Sequence, residues 1–237
     1  VLGGVGQTAG SELNNLTLVI TDTTNHTVEA GADITASGDI SVHAPVTITA
    51  SGTFTSEDGN IYIAETVTDG AGTFDFDLNT ANGTTDIAGI TTGSLDVVGD
   101  AATLRGDITA DGAAGNVNIL TAGGLVTLAN DLAITTANGA GGAISMGALD
   151  GAQTLTLDSD AAVTVRDGDI GGLTVTDATT VDFSGDLTTL GAVTVQDSGA
   201  GNTISGTVTV QDGAMLTAGG DITIDNTSGG GTEDIVV

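Results

Sequence analysis

The chain has no cysteine, no lysine and no tryptophan, a single proline (Pro45), and aromatic residues at only 2% of 237 positions. Each absence removes a class of protein. Without cysteine there is no disulfide framework and no thiolate metal site. The only basic residues, Arg105 and Arg166, stand against 31 acidic ones, for a formal net charge of −29. A chain so acidic repels phosphate backbones and anionic lipid surfaces, which excludes both as partners. No apolar run reaches the roughly 18 residues of a membrane helix, so membrane insertion is not expected. Immunoglobulin-type sandwiches centre on a large aromatic side chain. Here the aromatic inventory is Phe54, Phe74, Phe76, Phe183 and Tyr62.

Hydrophobic residues still make up 39% of the chain, enough to fill a core, and they are mostly Val, Ile, Leu and Ala. The low-hydrophobicity signature of disorder is therefore missing despite the charge. All the acidic residues except Glu12, Glu29, Glu57, Glu65 and Glu233 are Asp. Aspartate favours turns and disfavours helix interiors.

Period-two alternation dominates, as in Val46-Thr47-Ile48-Thr49, Phe74-Asp75-Phe76-Asp77-Leu78, Val163-Thr164-Val165 and Val208-Thr209-Val210. Such runs are strands with one apolar face. No window sustains apolar residues at helical spacing, so essentially no helix is expected. Glycine, Asn, Asp and Ser groups such as Asn138-Gly139-Ala140-Gly141-Gly142 and Asp197 to Asn202 separate the strands and supply turns.

One phrase recurs: a small or polar residue, then Asp, then Ile or Leu. It stands at Ala32-Asp33-Ile34, Gly38-Asp39-Ile40, Gly106-Asp107-Ile108, Asn130-Asp131-Leu132, Gly168-Asp169-Ile170, Gly185-Asp186-Leu187 and Gly220-Asp221-Ile222. A phrase that ends a turn and opens a strand, repeated along a chain, marks a stack of small units. The expected fold is all-β: a β-solenoid of roughly 18–25 residues per coil, about ten to twelve coils and on the order of 50 Å long. An antiparallel β-sandwich is the alternative. No composition shift marks a linker, so residues 1–237 read as a single elongated solenoid. Val1 is not an initiator methionine, which suggests a processed chain or part of a longer one.

These Gly-Asp-Ile/Leu-Thr units, Val-Thr-Val strands and Gly/Ala/Asn turns resemble the β-strand repeats of filamentous-haemagglutinin-type and other very large bacterial surface adhesins, from about Leu16 to Ile224. The resemblance implies a right-handed parallel β-helix, an extracellular or cell-surface location, and work as a stalk, adhesin or matrix fibre.

Candidate chemistry is sparse. Aspartates at equivalent positions of successive coils would lie about 5 Å apart and repel by about 1 kcal/mol even in water. Calcium bound to Asp39, Asp107, Asp169, Asp186 and Asp221 would relieve that, and so would a staggered, solvated acidic surface. No other cofactor is expected. Arg105-Gly106-Asp107 spells an integrin-recognition tripeptide, but Gly-Asp-Ile recurs with other residues before it. The sequons at Asn15, Asn25, Asn82 and Asn226 are short matches in a Thr-rich chain.

Polysaccharide lyases and hydrolases on β-helices need clustered basic or paired acidic residues with aromatic platforms. Here Arg105 and Arg166 read as isolated, and His26 and His43 lie near no nucleophile. Thr-x-Thr pairs such as Thr66/Thr68 and Thr174/Thr176 are the pattern ice-binding solenoids place in a ladder, but their sequence intervals are irregular and Thr suits any alternating strand.

The terminal segments Val1 to Val5 and Asp234 to Val237 are apolar and strand-like, and they offer no cap. Solenoid ends need covering. The expected function is a non-enzymatic structural fibre, stalk or matrix component that self-associates end to end. The first rival is an adhesin whose solenoid face, or a loop such as Gly139 to Ser145, binds glycan or a host receptor. A carbohydrate-active enzyme is the second.

Overall fold

A computed structural model describes residues 13–19, 28–70, 72–113, 115–136, 142–196, 207–225 and 235–236. His26, the sequons at Asn25 and Asn226, the segment Val1 to Val5, residues 138–141 and 197–202, and Asp234 and Val237 lie outside them.

Alternation of apolar and polar residues produces short strands broken at Gly, Asn, Asp and Ser corners. One coil shows the plan: Ile40–His43 lies on a first face, Val46–Ile48 on a second and Gly52–Ser56 on a third. In the next coil Ile61–Thr68 turns through the first two faces as one strand, and Asp75–Thr80 forms the third. Each strand pairs with its counterpart one coil on, and all pairings among the described residues are parallel, for example Leu16 with Ile40, Val46 with Val67 and Phe54 with Leu78. The described residues therefore form a three-faced β-solenoid without helix, with about 22 residues per coil and ten strands stacked on the third face.

Parallel pairing throughout rules out the sandwich. The coil length falls inside the expected range. Ten strands stacked on the third face match the lower end of the expected coil count. At ~4.8 Å per rung the stack is on the order of 40 Å high.

Register turns the alternation into columns. On the second face Val46, Val67, Ile90, Ile108 and Ile134 follow one another inward, and all are buried. On the third face Ile34, Phe54, Leu78, Val97, Ile119, Met146, Val165 and Phe183 do the same. Each such side chain contributes about 1.5–3 kcal/mol when fully removed from water. Three of the four phenylalanines, Phe54, Phe76 and Phe183, are buried on this face, and Phe54 and Phe76 meet edge to face at 4.9 Å.

The corners are held by side chains that reach from one coil to the next. Asn15 Oδ1 accepts from the Asp39 amide (2.8 Å), Asp39 Oδ1 from the Asn60 amide (2.8 Å), and Asn60 Oδ1 from the Thr84 amide (2.9 Å). The same bond recurs at the start of the second face, from Asp107 to Ala133 N and from Asp131 to Thr154 N. At the start of the third it runs from Asp33 to Thr53 N and from Asn116 to Ala143 N. At four of its seven occurrences, Asp33, Asp39, Asp107 and Asp131, the recurring aspartate is thus a corner residue that satisfies a backbone donor of the following coil. Glycine is required where coils touch most closely: a Cβ at Gly83 would collide with the Gly59 carbonyl.

One inward position breaks the aliphatic pattern. Thr85 is buried on the first face, and its hydroxyl has no hydrogen-bond partner. An unsatisfied buried hydroxyl costs about 1–3 kcal/mol, so Thr85→Val, which keeps the shape, should raise stability by that order in a denaturant melt. Ile108→Ala should instead lower it by about 2–5 kcal/mol.

Candidate functional site

Outward-facing residues differ from face to face, and the rarest side chains converge on the first. Tyr62, the only tyrosine, faces out in register with Ser41 before it and Asp86 after it. Arg105, two coils beyond Tyr62, directs its Nε to the Asp86 carboxylate and donates from Nη2 to the Ile63 carbonyl at 2.9 Å. Its guanidinium lies over the Tyr62 ring, 5.1 Å from the centroid. The exposed His43 ring lies 5.2 Å from Tyr62 at a 50° tilt. Asn130 Nδ2 completes the group by donating to the Arg105 carbonyl at 2.7 Å.

Arg105 is therefore not isolated, as it reads in sequence. The coil repeat carries it over Tyr62, 43 positions earlier in the chain. Chemically the group is a brace. The cation is neutralised by Asp86, laid on an aromatic face and tied to a backbone carbonyl, so contacts worth about 0.5–2 kcal/mol each join successive coils.

The Arg-Gly-Asp tripeptide is consumed by the same packing. Arg105 is held as described, a Cβ at Gly106 would collide with the Ala88 carbonyl, and Asp107 accepts from Ala133 N at 2.8 Å. All three members are engaged in coil-to-coil contacts.

The five aspartates read as calcium ligands are all exposed but lie apart. Asp39 stands before the first-face strand Ile40–His43 and holds the Asn60 amide and Nδ2. Asp107 stands before the second-face strand Ile108–Ala110. Asp169 faces out on the first face between Asp150 and Thr188. Asp186 precedes Leu187–Thr189 on the first face, and Asp221 precedes Ile222–Asp225 on the second. Among the described residues no three carboxylate or histidine side chains come together as a metal-binding group. The repeated phrase marks any of the three corners, so residues alike in sequence stand on different faces.

Acid concentrates on the third face instead. Asp77 and Asp96 are outward neighbours on adjacent rungs, with Asp75 and Asp33 nearby. Partial burial, then the Asp96 charge, hold the Asp77 carboxyl above the usual carboxylate range, with smaller contributions from Asp75 and Asp33. The Thr53 hydroxyl, 3.4 Å from Asp77 Oδ2, works in the opposite direction. Partial burial raises Asp96 too. Ser94 Oγ donates to Asp75 Oδ1 at 2.6 Å. On the second face Asp158 is raised by partial burial, then by Asp177 and Asp160, against a hydrogen bond from Thr176.

Comparison of the chain with protein-family models, with curated proteins and with solved structures finds no match in any of the three.

Removing the brace should be measurable. Arg105→Ala is expected to lower the melting temperature by a few degrees, and Arg105→Lys should not restore it, because an ammonium lacks the planar fork that serves Asp86, Ile63 and the Tyr62 ring together. The third face gives a pH prediction with a definite sign. A carboxyl whose folded pKa is raised binds more protons folded than unfolded, so its ionisation destabilises the fold as pH rises through the folded pKa. Asp77→Asn should therefore raise the melting temperature at neutral pH. The gain should vanish in acid below the unfolded carboxylate range, where both forms of the wild type are already protonated.

Proposed function

We propose that the chain is a non-enzymatic structural segment of a secreted or cell-surface fibre, stalk or matrix, built to be continued along its axis by further polypeptide. What carries this reading is the condition of the core at the outermost described coils. Val193 and Val195 are fully buried, yet their register partners one coil on are not: Ile222 is 47% exposed and Ile224 half-buried. Leu187 is 1% exposed, while its partner Leu216 is half-buried beside Met215 at 60%. At the other end Leu16, Leu18 and Val28 are half-buried, above the fully buried Ile40, Val42 and Val46.

Cut core and parallel strand edges favour one kind of neighbour, another coil in the same register, supplied by a second copy or by more of a longer chain. The surface supports a fibre as well. A charge of −29 keeps rods apart sideways, where faces meet, more than at the ends, where apolar rungs stack. Extracellular placement and kinship with large bacterial adhesins belong to this proposal through the repeat style described above.

Negative-stain electron microscopy and light scattering test it. The chain should form rods whose lengths are multiples of the single-chain height and grow with concentration and salt. The double variant Leu216→Glu/Ile222→Glu should give single rods with an unchanged β-sheet circular dichroism spectrum. A wild-type chain that stays monomeric across a wide concentration range would overturn the proposal.

A further inference from the structure

The second face carries an array that the sequence conceals. Its outward column reads Thr47, Thr68, Thr91, Thr109 and Thr135 on five successive rungs, each in register with the next. Two residues earlier on each strand, a neighbouring outward column takes over in later coils with Thr156, Thr174, Thr194 and Thr223 on four successive rungs. Thr66 and Thr176 add a second threonine beside Thr68 and Thr174, so those two rungs carry the pair.

Backbone pairing sets the rung spacing at ~4.8 Å and the spacing between columns at about 6.6 Å. The two register shifts in the sheet, between Ile63 and Thr66 and between Gly151 and Thr154, fall at the corner where the first face gives way to the second, so the array itself is unbroken. Threonine is β-branched and stiff at χ1, which holds neighbouring hydroxyls and methyls in a repeating arrangement.

What could occupy such a face follows from what it offers. From Thr47 to Thr135 its main column has no charge, in a chain with 31 acidic residues. The neighbouring column has one charge over that stretch, Asp107, whose carboxylate is held by the Ala133 amide. Glu29 stands one rung before Thr47, and Asp158 interrupts the main column after Thr135, where the other takes over. With no cation on the array, anions are not attracted. With Phe54, Phe76 and Phe183 in the core, Phe74 packed half-buried against it just before the third-face strand, and Tyr62 on the first face, the threonine columns hold no aromatic platform for a sugar ring.

One hydroxyl and one methyl per rung, on a fixed interval along the axis, match a ligand that is itself periodic. Ordered water in ice has oxygen rows that repeat on a closely similar interval. Single water contacts of this kind are weak, but a rigid array loses little entropy on binding and its contacts act together. We propose that the second face, centred on Thr68, Thr91 and Thr109, is an ice-binding surface. The inference stands apart from the fibre reading.

The test uses the purified full chain and water alone. Slowly grown ice should incorporate it, and it should inhibit recrystallisation and give thermal hysteresis. Thr91→Tyr and Thr109→Tyr, which break the outward array, should each reduce incorporation by about ten-fold or more. Thr103→Tyr and Thr127→Tyr, in register outward on the first face, should leave it unchanged. Circular dichroism melts confirm that each variant folds. Exclusion of the wild type from ice overturns the inference, whatever the variants do. So does retention of activity in both folded second-face variants, equal loss in the first-face pair, or binding to crystalline cellulose or chitin without binding to ice.

Discussion

Every property of this molecule depends on one constraint, the parallel hydrogen-bonded register that places each strand over its counterpart one coil earlier. Register aligns Ile90 over Val67 and Ile108 over Ile90, and so turns a modest aliphatic content into continuous buried columns. It also fixes the outward positions. A sheet in which one residue of slip moves every side chain to the opposite face cannot tolerate misalignment when one face is the core. The corner bonds from Asn15, Asp39, Asn60, Asp107 and Asp131 reinforce that alignment where the ladder is interrupted.

The fold was legible in the sequence because period-two alternation and the Asp-Ile/Leu phrase are local signals, and a solenoid is assembled from local units. Val163-Thr164-Val165 states its own two faces without reference to anything distant. What the sequence could not convey is phase. Coils vary from 17 residues, between Thr85 and Ala102, to 29, between Leu187 and Leu216, because corners of different length join strands of fixed register. Threonines at irregular intervals therefore line up in space, while the evenly phrased aspartates scatter over three faces. The Arg105, Tyr62, Asp86 and His43 group was hidden for the same reason: its members come from separate coils, and only the repeat brings them together.

With the inward positions committed to the core, the outward positions are free to differ, and the faces have become chemically distinct. The first carries the brace and the in-register pair Asp150 and Asp169. The third carries Asp77 beside Asp96, where partial burial and repulsion oppose ionisation. The second is dominated by threonine. One backbone plan thus presents three surfaces, and a substitution on one face leaves the others in place, since each contacts its neighbours chiefly through the shared core.

The corner bonds also give the coil a direction. In each case described, from Asn15 to Asp39 N, Asp33 to Thr53 N, Asn116 to Ala143 N and Asp131 to Thr154 N, the side chain accepts from the coil that follows and never from the one before. A finished coil therefore presents both paired strand edges and oriented corner acceptors to the next, and the next coil arrives with its donors already matched. Asp221 holds that position at the last described second-face strand, aligned by register with Ala192, Gly172, Thr154 and Asp131 below it. Where such an acceptor stands, as at Asp107 and Asp131, stacking towards the carboxy-terminal end satisfies a backbone donor of the next coil, whereas the rungs at Gly172 and Ala192 carry none. The same arrangement makes each described coil that carries such an acceptor a template for its successor.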